Sequence, residues 1–189
     1  MIDYLTYYYK LGTEPFRSLS ALSDEEAIKI MKELYNQTIF GERFQNPIQY
    51  LHNRRETEKW VCNEFKKKGG RPQYIYPIPM VLGTSRWMAK NSPDPDMHGE
   101  IRIPLSVFSE YEVSFTYPDS MVSLWLAREK PKKYYMADYH GKVFTLSEIL
   151  SIISEKGMPE DEWHTNLPNT LAPYIEAQVW NHEILEEFK

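Results

Sequence analysis

A short run near the C-terminus, residues 174–180, places a carboxylate beside an amide and two large aromatic rings. Its sequence, Tyr-Ile-Glu-Ala-Gln-Val-Trp, has the two-residue period of a β-strand. Three apolar residues are predicted to face the core: Ile175, Ala177 and Val179. Glu176, Gln178 and Trp180 then face the opposite side, with Tyr174 beside them. That side is predicted to form a polar cleft walled by aromatic rings.

A carboxylate set among aromatic rings is shielded from water, which suits a catalytic base or a ligand for a substrate hydroxyl group. Glu176 is therefore the candidate catalytic residue, and Gln178 and Trp180 are candidate ligand-binding residues. In the structural alternative, Glu176 pairs with a base such as Arg102 across the sheet.

A second candidate site lies where a predicted strand ends and a helix begins, at residues 114–121. Asp119 stands at the helix start, where free backbone N–H groups can bind an anion. Tyr117 adds a hydroxyl group just before it, so both residues are candidate ligand-binding residues. Asp119 as an ordinary helix N-cap explains the pattern equally well.

Two basic segments complete the candidates. The loop at residues 83–87 follows an apolar strand, where binding residues commonly lie, and it offers Arg86 as a ligand-binding residue or as a merely exposed side chain. In the helix predicted at residues 46–68, Arg54 and Glu58 have the spacing of an ion pair on a solvated face. With the lysines that follow, the same segment could instead bind phosphate groups.

Composition narrows the functional classes. The 189 residues carry a net charge of −5, which argues against nucleic acid as a partner. The five histidines lack metal-ligand spacing, so no metal site is predicted. The single cysteine, with no secretory signal or membrane span in the sequence, predicts a cytoplasmic protein.

The elements that must position these residues are strands and helices in mixed order. We predict strands at residues 4–9, 78–82, 100–105, 113–117, 142–144 and 174–180. We predict helices after Ser23, over 46–68, around Trp87, from Asp119 to about Ala127, and after Thr145, where Glu148 completes a capping box. The helix over 46–68 is expected to start at Asn46 and Pro47, and Ile48 is among the residues expected to contact the body of the protein. This order is typical of an α+β fold with a mixed or mostly antiparallel sheet and flanking helices, in a single domain spanning residues 1–189.

The late strand at residues 174–179 and the paired central strands at 100–119 resemble those of ADP-ribosyltransferase-like domains, and most closely the toxin-type transferases that modify nucleic acid. One departure concerns the residue two positions before the catalytic glutamate, usually Gln or Glu in the Arg-Ser-Glu class. Tyr174 occupies that position here, and Gln178 instead follows Glu176. The overall pattern also resembles an uncharacterised bacterial protein family, which implies no activity.

The resemblance implies NAD as the cosubstrate and a role for each candidate residue. The Glu176 carboxylate would stabilise positive charge developing on the ribose and polarise the attacking group. Tyr117 or Trp180 would stack on the nicotinamide, and Arg86 or Arg17 would hold the diphosphate.

The leading hypothesis is a small-molecule or nucleotide-handling transferase. The alternative is a non-catalytic binding or protein-interaction module that uses an aromatic-rich surface. The setting of Glu176 discriminates between them. A concave pocket with arginine and hydroxyl side chains would favour the enzyme, and a flat sheet or a salt bridge would favour the module.

Overall fold

A five-stranded antiparallel sheet organises the computed structural model, which describes residues 2–35, 39–91, 98–163, 171 and 173–189. The strands are β1 (Tyr4–Lys10), β2 (Ile78–Leu82), β3 (His98–Pro104), β4 (Val113–Thr116) and β5 (Glu176–Val179). Their order across the sheet is β3-β1-β2-β5-β4, and every neighbouring pair is antiparallel. With its flanking helices, this sheet confirms the predicted single α+β domain.

Five α-helices accompany the sheet in the described residues. They are α1 (Asp24–Tyr35), α2 (Pro47–Lys67), α3 (Arg86–Asn91), α4 (Ser120–Glu129) and α5 (Leu146–Lys156). The predicted capping box of α5 is confirmed, because the side chains of Thr145 and Glu148 each accept a hydrogen bond from the other's backbone N–H. No helix in the described part of the chain has the length and apolarity needed to cross a membrane.

The sheet has one apolar face. Ile175, Ala177 and Val179 of the β5 region are all fully buried in the main hydrophobic core, as the two-residue period predicts. Strand β4 contributes Val113 and Phe115 to the same core. Helix α5 packs there too, through Ile149.

The other face is polar, and one row of paired residues crosses it. The register joins Arg102 to Thr6, Thr6 to Val81, Val81 to Glu176 and Glu176 to Thr116. Arg102 is therefore separated from Glu176 by two intervening strands. Its Nη2 instead donates to Glu100 Oε1 at 2.7 Å. The alternative in which Glu176 pairs with Arg102 is wrong.

Helix α2 covers part of this polar face and differs from expectation in its packing. It begins after the N-cap Asn46, as predicted. One side of its polar middle is not solvated, however, because Glu58 is buried and the Arg54 side chain is only 17% exposed. Ile48, predicted to contact the body of the protein, is 68% exposed.

Two glycines follow the end of α2, and each is required for a different reason. Gly69 has a φ of +92°, a conformation that other residues rarely adopt. A Cβ atom at Gly70 would lie 2.4 Å from the Phe65 ring.

The predicted strand at residues 142–144 is reduced to a single bridge between Phe144 and Phe115, since three residues are too few to extend the ladder.

Candidate functional site

A cavity of about 790 Å³ opens on the polar face of the sheet. Strands β1, β2 and β5 form its floor, and the first half of α2, the start of α4, helix α3 and residues 42–43 form its walls. Three of the predicted site residues line it: Glu176, Asp119 and Arg17. The cavity therefore unites residues that lie far apart in the sequence.

The side chain of Glu176, on β5, reaches the first turn of α4, and both of its carboxylate oxygens accept hydrogen bonds. Oε2 accepts from the backbone N–H of Ser120 at 3.1 Å. Oε1 accepts from Ser120 Oγ at 3.2 Å and from Gln178 Nε2 at 3.1 Å. The residue is 9% exposed, so the carboxylate is held in a defined position at the edge of the cavity.

Asp119 is the N-cap of the same helix. Its Oδ1 accepts from the backbone N–H groups of Met121 and Val122, both at 3.0 Å. With the Ser120 N–H bound by Glu176, two carboxylates occupy the helix start. The N-cap interpretation of Asp119 is thus confirmed, and these N–H groups are not available for an anionic ligand.

Burial and mutual repulsion dominate the electrostatics of this pair. Burial, followed by the charge of Asp119, raises the pKa of Glu176 to about 7, against the opposing effects of Gln178, Arg54 and the Ser120 N–H. Burial also raises the pKa of Asp119, and the Val122 N–H and Arg43 oppose that rise. Glu176 can therefore take up or release a proton near neutral pH.

Three arginines line the same cavity as the two acids. Arg54 Nε contacts Glu58 Oε1 at 2.9 Å and donates to Ser20 Oγ at 3.2 Å. The guanidinium of Arg43 lies 4.7 Å from the Phe44 ring centroid and also lines the cavity. Arg17 is exposed, and its backbone N–H donates to the Tyr7 hydroxyl at 3.2 Å. This side of the cavity suits an anionic group.

Aromatic rings line the rest of the cavity, and one of them, Tyr174, belongs to the predicted aromatic wall. Tyr174 is part of the wall, and its ring lies 6.2 Å from that of Trp87. Burial, followed by the charges of Asp119 and Glu176, raises the pKa of Tyr174 well above its ordinary value. The Tyr174 phenol therefore stays protonated and can donate a hydrogen bond to a ligand.

Trp180 does not line the cavity, so the prediction of its role in an aromatic-walled cleft is wrong. It is fully buried under the C-terminal half of α2, stacked on Phe65 with ring centroids 6.4 Å apart. The physical reason is that helices cover both faces of the sheet, so the side opposite the core is also packed.

Tyr117 and Arg86 also lie outside the cavity lining. Tyr117 is 1% exposed on the apolar side of the sheet, where its ring stacks on His140 and contacts Trp163. Arg86 is exposed and pairs with Glu160 and Asp161. Neither is placed to bind a ligand in the cavity.

Gln178 lies beneath the cavity, within a hydrogen-bonded series that we call the polar chain: Trp180, Ser114, Gln178, Thr116 and Glu176. Trp180 Nε1 donates to Ser114 Oγ, which donates to Gln178 Oε1, both at 2.9 Å. Gln178 Nε2 then donates to Thr116 Oγ1 at 2.9 Å and to Glu176 Oε1. Gln178 thus orients the carboxylate rather than a ligand.

Arg54 is a cavity residue that sequence reasoning assigned to the surface. A signal was present, because α2 has a continuous buried stripe in which apolar residues flank the charged pair. The stripe runs through Leu51, Arg54, Glu58, Val61 and Phe65 at helical spacing. Charges that interrupt an apolar stripe in this way indicate a buried ion pair rather than a solvated one.

The arrangement can move a proton and stabilise a cation at the acids, and it can hold an anion at the arginines. Within the described residues there is no cluster of three or more His, Cys, Asp or Glu side chains that could hold a metal ion. Comparison with protein-family models, with curated proteins and with solved structures finds no match.

Proposed function

We propose that the protein is a nucleotide-handling transferase of the ADP-ribosyltransferase type, with NAD as its cosubstrate and a cytoplasmic location. The observation that carries this proposal is the position of Glu176, beside Asp119 at the edge of a cavity that three arginines also line. A cavity of about 790 Å³ is in the range that accommodates a dinucleotide.

The arginines and the acid that line the cavity have different roles in this proposal. Arg17, Arg43 and Arg54 offer guanidinium groups to a diphosphate, which they bind in a fork geometry. NAD supplies a ribose bonded to a cationic leaving group. The Glu176 carboxylate faces positive charge that develops on the ribose, and stabilises it in a site largely shielded from water. The ring of Tyr174 or Trp87, rather than Tyr117 or Trp180, provides the stacking surface.

The positive charge of the bound nicotinamide ring also favours the ionised form of Glu176. With a pKa of about 7, Glu176 is only partly ionised at neutral pH in the free protein. A bound cationic ring lowers that pKa, because opposite charge favours the ionised form. Binding therefore generates the carboxylate that the reaction requires.

Thermal shift with NAD, ADP-ribose and AMP tests the binding step. At a ligand concentration of about 100 Kd, stabilisation is about 2.7 kcal/mol. For a chain of this size, that corresponds to a rise in Tm of roughly 5–10 °C. Arg17→Ala should reduce the shift without lowering the Tm of the free protein, since Arg17 is exposed and forms no salt bridge among the described residues. If none of the three ligands raises the Tm, the proposal is wrong.

Release of nicotinamide from NAD tests the chemical step. Glu176→Gln should abolish release while retaining the Tm shift with ADP-ribose, which lacks the cationic ring. Glu100→Gln is the matched control, because Glu100 lies on β3, away from the cavity, and pairs with Arg102. Equal release by wild type and Glu176→Gln would leave Glu176 without a catalytic role.

A non-catalytic binding module is the second candidate, and one observation favours it. Both oxygens of Glu176 already accept hydrogen bonds within the protein, which is the arrangement of a structural helix cap. In that case a nucleotide would raise the Tm of the wild-type protein, and no nicotinamide would be released.

A further inference from the structure

The two edges of the sheet differ in what covers them. Strand β4 forms one edge, and its outer side is bridged by Phe144, which exchanges backbone hydrogen bonds of 2.9 and 2.8 Å with Phe115. Strand β3 forms the other edge, and no strand in the described ranges pairs with its outer side. At seven residues, β3 is also longer than β4, which has four. The sheet is therefore covered by a chain segment at one edge and open at the other.

Backbone hydrogen bonds determine which groups of β3 point outward. In an antiparallel pair, facing residues that exchange hydrogen bonds alternate with facing residues whose N–H and C=O groups point away from each other. The Leu105 N–H, which continues the register of β3, donates to Asp3 O at 2.7 Å. Odd-numbered residues of β3 therefore bond to β1, and the N–H and C=O groups of Glu100 and Arg102 point outward. The side chains of both residues are exposed.

Strand β3 lacks most of the features that keep edge strands from pairing. Such strands are ordinarily short or bulged, or they carry lysine, proline or a charge on the core face. The register of β3 with β1 is unbroken over all seven residues, and its one proline, Pro104, is the last of them. Ile101 and Ile103 occupy the core face. The two charged residues, Glu100 and Arg102, lie on the polar face, where they leave the edge able to accept a further strand.

We propose that β3 pairs with β3 of a second copy of the chain about a twofold axis at Ile101, which makes one continuous antiparallel sheet of the two. An axis at Glu100 would place that residue against itself, and an axis at Arg102 would do the same with arginine. An axis at Ile101 places Glu100 against Arg102 at two symmetric positions. Opposite charges on facing residues stabilise a sheet and like charges destabilise it, so the charges select this register. Ile101 is also the midpoint of β3, so the whole strand overlaps.

Apolar side chains meet on the core face of the paired strands. Ile101 faces Ile101 of the second copy, and in the single chain it is only half-buried against the core. The Tyr9 ring lies over Gly99, where a Cβ atom would be 2.6 Å from it. In the dimer, Gly99 faces Ile103 of the second copy. Pairing therefore extends the hydrophobic core across the interface.

A second copy fits this edge better than an unrelated extended peptide does. Outward backbone groups accept either partner, but facing charges require a strand with glutamate and arginine in the matching order, which β3 itself supplies. The axis is perpendicular to the sheet, so both cavities open on the same side of the dimer. Each cavity is lined by residues of one chain, and the dimer is therefore independent of the proposed function.

Sedimentation velocity at chain concentrations from about 1 µM to about 100 µM measures the pairing. Wild type should be dimeric at the upper end of this range. Glu100→Arg should weaken the dimer at least about tenfold, because like charges then face each other at two positions, and Arg102→Glu should do the same. The two variants mixed together should pair, since one β3 then carries two cations and the other two acids. A wild type that stays monomeric throughout the range would overturn the proposal.

The matched control is Glu129→Arg, which changes the net charge as Glu100→Arg does, at an exposed position at the end of α4. This control should dimerise as wild type does. Equal weakening by Glu129→Arg, or a failure of the mixed variants to pair, would show that facing charges on β3 do not direct the association and would overturn the proposal.

Single cysteines on β3 test the register under mild oxidation. In the proposed pairing the Cα atoms of the two Ile101 residues are about 4.5 Å apart, so Ile101→Cys should form a disulfide-linked dimer. Glu100→Cys and Arg102→Cys should cross-link poorly alone and well when mixed, because each residue faces the other. Wild type, whose one cysteine, Cys62, is buried, is the control. Cross-linking of Glu100→Cys alone as fast as that of Ile101→Cys would overturn the proposed pairing.

Discussion

Replacing Glu176 by glutamine should make the stability of the protein diverge from wild type as the pH rises. The pKa of Glu176 is about 7 in the folded protein and 4.5 ordinarily. The native state therefore holds this proton more tightly than the unfolded chain does. Wild type loses stability as the pH rises from 4.5 through about 7, and the glutamine variant, which has no proton to lose, does not.

The magnitude follows from the difference between the two pKa values. At about 1.4 kcal/mol for each pH unit, complete ionisation costs wild type about 3 kcal/mol, of which about 2.5 kcal/mol falls between pH 5 and pH 8. Glutamine has one acceptor oxygen where the carboxylate has two, and losing one hydrogen bond costs about 1 kcal/mol. Glu176→Gln is thus expected to be less stable than wild type in acid and more stable in mild alkali.

Thermal denaturation at a series of pH values measures this divergence. Between about pH 5 and pH 8, the Tm of Glu176→Gln should rise relative to wild type by roughly 5–10 °C. The stability of the Glu100→Gln variant, which removes one partner of an exposed ion pair, should depend on pH as that of wild type does. A constant difference between Glu176→Gln and wild type at all pH values would refute the electrostatic account of the site.

Further predictions concern the stability of the elements that hold the site, and urea denaturation measures each. Arg54→Met should cost about 3–5 kcal/mol by leaving the Glu58 carboxylate buried and unpaired, and adding Glu58→Leu should recover most of that loss. Trp180→Ala should cost about 3–5 kcal/mol through the cavity it leaves. Thr145→Ala should cost about 1 kcal/mol by removing the capping box of α5. Ile48→Lys should change stability by no more than about 0.5 kcal/mol, since Ile48 is exposed. A cost above about 2 kcal/mol for Ile48→Lys would contradict the packing of α2.

Local features of the fold could be predicted from the sequence because their physics is local. The capping box at Thr145 and the N-cap at Asn46 depend on residues three positions apart. The alternation of β5 placed Ile175 and Val179 in the core for the same reason. These features need no knowledge of what packs against the element.

The site could be predicted only in part, because what covers an element depends on tertiary structure. Alternation showed that Glu176 and Trp180 share a face, but not that α2 buries Trp180 while the cavity reaches Glu176. Spacing likewise paired Arg54 with Glu58 without revealing that the pair is buried. The proximity of Arg17 to Glu176 depends on β1 and β5 flanking the same central strand.

The polar chain also disfavours sheets in which β4 and β5 pair in the wrong register. On the core side, β4 and β5 oppose interchangeable apolar residues: Val113 faces Val179, and Phe115 faces Ala177. Sliding one strand by two residues would preserve that apolar contact, so hydrophobic burial alone discriminates weakly between the alternatives. The same slide would separate Gln178 from Ser114. It would leave buried polar groups without hydrogen-bond partners, at a cost of about 1–3 kcal/mol each. The residues that orient the Glu176 carboxylate therefore also destabilise competing strand registers during folding. Substitutions that spare the native contacts of the cavity can still lower the yield of correctly folded protein.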